Sequence, residues 1–160
     1  MNQTVELPQV SEFMKRHLVE VFETMLATQA VLQPQARPPH HAQRVTGSVG
    51  FAGENVTGAV YLHLSAEFAT RAAAAMLGLG PADAVGEAEV NDVVGEVTNM
   101  LTGGLKSWLC DAGLPCAVST PAIIRGASYE IEAVPEVQRE CLVFQCGSQG
   151  LIVEIHIKIN

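Results

Sequence analysis

The sequence predicts an α+β domain in which helices pack on a mostly antiparallel β-sheet, with the elements in the order αββααβββ. Amphipathic helical stretches alternate with pairs of β-rich runs joined by short connections, which is typical of hairpins. No glycine-rich phosphate loop follows a strand, which disfavours a nucleotide-binding enzyme. The 160 residues, 48% of them hydrophobic, match one domain spanning 1–160 with a single core.

The first helix is predicted over residues 10–32, where apolar residues recur at helical spacing and Pro34 follows. Residues 43–52 and 55–64 are rich in β-formers and are joined through a short segment containing Gly53, which predicts a hairpin. The chain therefore begins with one helix and two antiparallel strands.

A second helix is predicted to start at Ser65, because an alanine-rich stretch follows and Gly78 and Gly80 stop it. A third and longer helix is predicted from Gly86 to Asp111. The two helices are expected to be consecutive, with a short connection over residues 81–87.

Residues 116–126 are predicted to be extended, with Pro121 indicating an edge position or a bulge. An irregular loop over 127–138 precedes a closing hairpin over 141–159, whose turn is predicted at 147–150. In its last strand, Glu154 and His156 are expected on one face.

Charge and hydropathy limit the partners. The net charge is −8 and the pI is about 5.0, with no stripe of lysine and arginine, which argues against nucleic acid or an anionic membrane. We find neither an 18-residue apolar stretch nor a charged-then-apolar leader. A cytoplasmic protein is therefore expected.

Cysteine and histidine do not form a recognisable metal or disulfide pattern. The spacings lack the CxxC pairs of zinc sites, so we predict small, buried or semi-exposed thiols at Cys110, Cys116, Cys141 and Cys146. His40 and His41 are expected in a solvated loop, and His63 and His156 are interpreted as structural strand residues. No metal site is predicted.

The third helix separates into two faces when residues 89–111 are placed at about 100° per residue. The buried stripe contains Val90, Val94, Val97, Leu101, Leu105 and Trp108. The opposite stripe contains Glu89, Asp92, Glu96, Asn99 and Gly103. A solvated helix face is the common interpretation of such a polar stripe.

Several features of this polar face oppose that interpretation. Asp92 and Glu96 are like charges four residues apart, which is unfavourable by a few tenths of a kcal/mol. Asn99 is a poor helix former, and Gly103 with Gly104 costs roughly 2 kcal/mol relative to alanine. Local rules broken on one face indicate function, and small residues allow another molecule to approach closely. A partner-binding surface is therefore predicted.

The chemistry of Glu96 and Asn99 suits that surface. An asparagine amide is a poor base, but it donates and accepts hydrogen bonds and can orient a water molecule. Water alignment by a carboxamide accelerates phosphoryl transfer. A glutamate one turn away can bind a cation of the partner.

The sequence resembles the CheC/CheX/FliY family of phosphatases that act on the chemotaxis response regulator CheY. The resemblance rests on Asp92-x3-Glu96-x2-Asn99, on a proline about 22 residues later (Pro121), and on the order of elements along most of the chain. CheC-type members typically carry two such helices. Here Glu20 is followed by Glu23 where an asparagine would be needed, so the chain is most similar to CheX.

This resemblance implies a phosphatase of a phosphorylated CheY-like receiver in chemotaxis or two-component signalling. It implies that Asn99 aligns the attacking water and that Glu96 pairs with a lysine of the receiver. Asp92 then acts in orientation or in helix structure on the partner-binding face. Gly103 and Gly104 are expected on the same face, because their small size allows close approach. No cofactor of its own is expected, because Mg²⁺ comes from the response regulator. The resemblance also implies a homodimer joined sheet edge to sheet edge.

Two other functions remain open from the sequence. One is a non-catalytic module that binds a receiver domain or a flagellar-switch component while retaining Glu96 and Asn99. The other, which the residues favour less, is a thiol- or metal-based sensor that uses the four cysteines.

Overall fold

The structure is a computed structural model that describes residues 4–80, 83–127 and 129–160. Its helices are α1 (Leu7–Leu26), α2 (Ala66–Met76) and α3 (Glu87–Asp111). Its strands are β1 (Val31–Leu32), β2 (Arg44–Ala52), β3 (Val56–Ser65), β4 (Ala117–Val118), β5 (Ala122–Gly126), β6 (Gln138–Cys146) and β7 (Gln149–Ile159). The predicted α+β class and the order of its main elements are confirmed.

The seven strands form one antiparallel sheet in the order β1-β6-β7-β3-β2-β4, and β5 also pairs with β2. Both predicted hairpins are observed, because β2 pairs with β3 and β6 pairs with β7 along their lengths. The C-terminal strand β7 lies in the middle of the sheet, between β6 and β3. Its residues Leu151 to Ile157 are consequently buried on both faces.

The predicted end of the first helix at residue 32 is wrong. The helix ends at Leu26, where Ala27 adopts a left-handed conformation with φ of 48° and donates its N–H to the Phe22 carbonyl. The chain then extends, and Val31–Leu32 pairs with β6. No glycine or proline marks position 27, so the sequence carries no stop signal before Pro34.

The predicted boundaries of the second and third helices agree closely with the structure, whereas α1 and β6 each begin three residues earlier than predicted. The connection predicted over 81–87 includes residues 81 and 82, which lie outside the described residues. Ser65 caps α2, since its hydroxyl accepts a hydrogen bond of 3.0 Å from the Phe68 N–H. Gly78 follows the helix with φ of +68°, a conformation that glycine adopts without strain. Pro121 lies between β4 and β5 and splits the predicted 116–126 segment into two short edge strands.

The two faces of the sheet differ in chemistry. The helices cover one face with an apolar core, and α3 lies directly on β2, where a methyl group on Gly47 would overlap the Thr98 side chain. The opposite face carries buried polar side chains, among them His63, Glu154 and His156. In the described part of the chain, no helix is both long enough and apolar enough to cross a membrane.

Candidate functional site

The helix α3 positions the predicted site residues, and local hydrogen bonds fix its geometry. At its start, the Gly86 N–H donates to Glu89 Oε2 at 2.6 Å. In its middle, the hydroxyls of Thr98 and Thr102 donate to the carbonyls one turn earlier at 2.7 and 2.8 Å. These bonds satisfy two fully buried hydroxyls, and Thr98 anchors the helix to the sheet immediately before Asn99.

The predicted division of α3 into two faces is observed. The residues predicted to be buried are at most 3% exposed, apart from the partly buried Trp108. On the opposite face Asp92 and Glu96 are exposed, while Asn99 and Gly103 are partly exposed. The acid and the amide therefore lie at the surface of a helix that is otherwise packed into the core.

Glu96 and Asn99 make no internal polar contact in the described part of the chain. The side-chain hydrogen bonds and ion pairs of α3 involve Glu87, Glu89, Asn91, Thr98 and Thr102. Nor do Glu96 and Asn99 line any of the four principal cavities of the described residues. The two groups are thus presented on an open surface, which suits insertion into the site of another molecule.

The motif proline packs beside this surface. A β-carbon on Gly95 would lie 3.3 Å from Pro121 Cβ, so Pro121 contacts α3 immediately before Glu96. Ile123 is the next neighbour on the same side. The spacing between the helix motif and Pro121 therefore corresponds to a contact that fixes one border of the exposed face.

A basic residue beside α3 was not identified from the sequence. Arg125 on β5 donates from Nε to Asn91 Oδ1 at 2.9 Å and lies 3.7 Å from Glu87 Oε1. It supplies the positive charge that residues 87–105 of the helix lack. The one sequence feature that could have suggested a contact of Arg125 with α3 is its position four residues after Pro121.

Gly104 and Gly103 occupy different environments. A methyl group on Gly104 would overlap the ring of His17, whose Nε2 contacts the Met100 carbonyl at 3.0 Å and whose ring stacks on Phe13. Gly104 therefore serves the packing of α1 against α3, and a partner contact there stays a prediction. Gly103 has no neighbour within 4 Å of such a methyl group and lies on the open face.

The cysteines are free thiols, as predicted. Burial raises the pKa of Cys146 to about 11 and also raises the pKa of Cys116, which disfavours reactive thiolates. Within the described ranges, no three His, Cys, Asp or Glu side chains are arranged to hold a metal ion.

The structure corrects the expectation for His41. It is buried rather than solvated, and its Nε2 donates to the Gly150 carbonyl at 2.7 Å. Its neighbour His40 is exposed, as expected for a loop residue.

Comparison with known proteins gives one family match. The family model described as "Chemotaxis phosphatase CheX" matches residues 45–146, a range that includes α3 and Pro121. No curated protein matches the chain.

Solved structures share the fold over nearly the whole chain. The chemotaxis protein CheX from Vibrio vulnificus is 25% identical, with a TM-score of 0.80 over 97% of this chain and 100% of that one. A CheC-like superfamily protein from Shewanella sp. PV-4 is 26% identical, with a TM-score of 0.79 over 96% and 99%. The CheX–CheY–BeF3–Mg²⁺ complex from Borrelia burgdorferi is 21% identical, with a TM-score of 0.74 over 93% and 97%, and shows the likeness in fold alone.

Proposed function

The chain belongs to the CheX family of chemotaxis phosphatases, which are dephosphorylating hydrolases, and we propose that it hydrolyses the aspartyl phosphate of a CheY-like receiver through Asn99. The observation that carries the proposal is the open face of α3. There Asn99 and Glu96 lie on a helix anchored by buried hydroxyls, and neither makes a polar contact with another described residue. The CheX from Borrelia burgdorferi has been solved in complex with CheY, BeF3 and Mg²⁺, which supports a receiver as partner.

Asn99 orients the attacking water in this proposal. Its amide oxygen accepts a hydrogen bond from water, and its amide nitrogen donates to the phosphoryl group or to the water oxygen. In-line attack on a phosphoryl group depends more on alignment than on deprotonation, so a neutral amide suffices. The amide must therefore protrude and stay free, as it does on α3.

Glu96 binds the receiver in this proposal. Its carboxylate is exposed, lies one turn from Asn99, and pairs with a lysine at the phosphorylation site of the partner. Asp92 and Gly103 extend the contact surface along the same face, Asp92 by orientation and Gly103 by allowing close approach. Mg²⁺ belongs to the receiver, as in the phosphoryl-transfer sites where the metal neutralises the developing charge.

The decisive test follows the lifetime of a phosphorylated receiver with wild type, Asn99→Ala and Glu96→Ala. We expect Asn99→Ala to lower kcat by on the order of 10²-fold, because water alignment is lost. Glu96→Ala should mainly raise KM, because a binding contact is lost. The matched control is Gln29→Ala, an exposed amide outside α3, which should behave as wild type.

The outcomes separate catalysis from binding alone. An unchanged rate with Asn99→Ala would refute the water-aligning role. If the wild-type protein binds the phosphorylated receiver stably and leaves the phosphate lifetime unchanged, the chain is the non-catalytic module instead.

We also propose that the chain forms a homodimer through the edge of β6. Among the described residues, β1 pairs with Phe144 and Gln145 of β6 and leaves residues 138–142 at an edge of the sheet. Such an edge favours the addition of a further strand. Light scattering should give twice the chain mass of 17.0 kDa, and a mass of one chain at micromolar concentration would refute the dimer.

A further inference from the structure

A second candidate site lies on the face of the sheet that the helices leave open. A cavity of about 400 Å³ is bordered there by the loop containing Pro39 and His41 and by residues of β6 and β7. Arg44, Tyr129, Arg139 and Glu154 also line it. Because α3 packs on the other face, this cavity is separate from the surface that carries Asn99.

The floor of the cavity is a buried carboxylate that accepts three hydrogen bonds. Glu154 is 5% exposed, and its oxygens accept hydrogen bonds of 3.0 Å from His63 Nε2, His156 Nε2 and Arg139 Nε. All three donors point N–H groups at the carboxylate, so both its oxygens are occupied. Both imidazole Nε2 atoms therefore carry protons and are not available as ligands of a metal ion.

Arg139 has binding capacity beyond this contact. Only its Nε is engaged by Glu154, and its side chain is 44% exposed at the cavity. In the described residues its two terminal amino groups donate no hydrogen bond within the protein. A guanidinium in this state offers donors in a fixed plane to a ligand.

Arg44 is a guanidinium held by neutral acceptors. Its nitrogens donate to His41 Nδ1 at 3.1 Å and to the carbonyls of Pro39 at 3.1 Å and Tyr129 at 3.4 Å. It also lies 5.6 Å from the centre of the Tyr129 ring. Among the described ion pairs, none involves Arg44. Every partner that fixes it is therefore neutral.

The state of His41 reinforces this arrangement. Burial lowers the pKa of His41, so the ring is neutral at neutral pH. Its Nε2 donates to the Gly150 carbonyl, which leaves Nδ1 as the acceptor for Arg44. The buried carboxylate Glu154 also lines the cavity, but its hydrogen bonds go to His63, Arg139 and His156. A partly buried positive charge held by neutral acceptors, as Arg44 is, favours the approach of a further anion.

We propose that this cavity binds the oxyanion group of a small molecule, either a carboxylate or a phosphate, between Arg44 and Arg139. Both groups match the planar, bidentate donor pattern of a guanidinium. Arg44 is fixed in place by its three protein contacts, and Arg139 is fixed at its Nε by Glu154. Folding therefore already orders these two long side chains, so ligand binding has a smaller entropic cost.

One residue at the cavity opposes an anion and provides a sharp control. Glu130 is exposed and lines the cavity. The pKa of Arg139 is raised mainly by its hydrogen bond to Glu154, and the charge of Glu130 adds to this in the same direction. Removing its negative charge should strengthen anion binding, whereas removing Arg139 should weaken it. The two variants therefore predict changes of opposite sign in one measurement.

The test titrates the full chain with inorganic phosphate and, separately, with citrate, at constant ionic strength with chloride as the background anion. Isothermal calorimetry and the Arg side-chain NMR signals report binding. We expect saturable binding of at least one probe, about tenfold weaker in Arg139→Gln and about twofold tighter in Glu130→Gln. Arg44→Lys keeps the charge, loses the planar fork and should also weaken binding.

Each outcome is informative. Binding of phosphate alone or of citrate alone supports the site and identifies its ligand chemistry. Absence of saturable binding of both probes up to about 10 mM, a very weak affinity, overturns the proposal. So does binding that is unchanged in both Arg139→Gln and Glu130→Gln. Glu130 is exposed and remote from the core, so its variant reports on the site even if Arg139→Gln folds poorly. None of these readouts depends on phosphatase activity.

Discussion

On the helix-bearing side of the sheet, Glu96 and Asn99 are polar groups at the surface, and no described residue forms a hydrogen bond or ion pair with their side chains. On the opposite side, Glu154 and His63 are polar groups in the interior. Both carboxylate oxygens of Glu154 and both ring nitrogens of His63 form hydrogen bonds. Burial without partners is costly, so the inner groups must be satisfied by the fold. Groups at the surface are free to bind another molecule, and this contrast separates structural from functional polar residues in this chain.

The largest expected effect on stability comes from Glu154. In Glu154→Ala, His63 and His156 lose their common acceptor, which should lower the free energy of unfolding by about 3 kcal/mol. The matched control is Glu136→Ala, which removes an ion pair with Lys158 at 3.2 Å whose glutamate is 77% exposed. That variant should lose less than about 1 kcal/mol. If urea denaturation gave equal decreases in the free energy of unfolding for the two variants, the proposed difference between buried and exposed polar groups would be wrong.

The same carboxylate should make stability depend on pH in the acid range. Burial by itself would raise the pKa of Glu154, but the hydrogen bonds from His63, Arg139 and His156 outweigh burial and lower it to about 2. The unfolded chain, with its ordinary value of 4.5, therefore binds the proton first as the pH falls. This stabilisation is fully present above about pH 5 and is lost between pH 4.5 and 2.

The size of that loss is roughly 3 kcal/mol, because one pKa unit corresponds to about 1.4 kcal/mol. Urea denaturation at pH 6 and pH 3 should show roughly 2 kcal/mol of this loss, because the folded carboxyl is still largely ionised at pH 3. Glu154→Gln has no carboxyl group to titrate, so its stability should fall less over this interval. A parallel decline in wild type and variant would mean that Glu154 is not the group responsible.

The sequence predicts the helix-bearing side better than the opposite side. The exposure of Glu96 and the burial of Val97 follow from the helical period of one segment, and the structure has a helix with these two faces. The alternation of the last strand placed Glu154 and His156 on one face. The burial of Glu154 and His156 could not be predicted from the sequence. It depends on the central position of β7 in the sheet and on Tyr129, which packs against His63 from a distant loop.

Long-range packing explains the other differences. The early end of α1 has no sequence signal at Ala27, and β1 forms because β6 is available beside it. Arg125 reaches Asn91 only because β5 pairs with β2 next to α3. Periodicity within a segment cannot report such contacts between segments.

Two adjacent glycines provide a smaller test on the helix-bearing side. Gly104→Ala places a methyl group against His17, which a stacked Phe13 and a contact to the Met100 carbonyl hold in position. Overpacking of this kind should lower the free energy of unfolding by about 1 to 3 kcal/mol. Gly103→Ala meets nothing within 4 Å and should raise stability by up to about 1 kcal/mol.

The Gly103 variant also tests the open face as a contact surface. If a receiver approaches α3 closely at Gly103, the added methyl group should raise KM toward the phosphorylated receiver while the protein itself becomes more stable. A rise in stability together with a rise in KM indicates a binding surface. On a merely solvated surface, the substitution would leave KM unchanged and would not lower stability. Thermal unfolding and receiver kinetics on the same preparation decide it. A more stable Gly103→Ala protein with unchanged KM would show that the receiver does not contact Gly103. The functional face would then be restricted to the turn that carries Glu96 and Asn99.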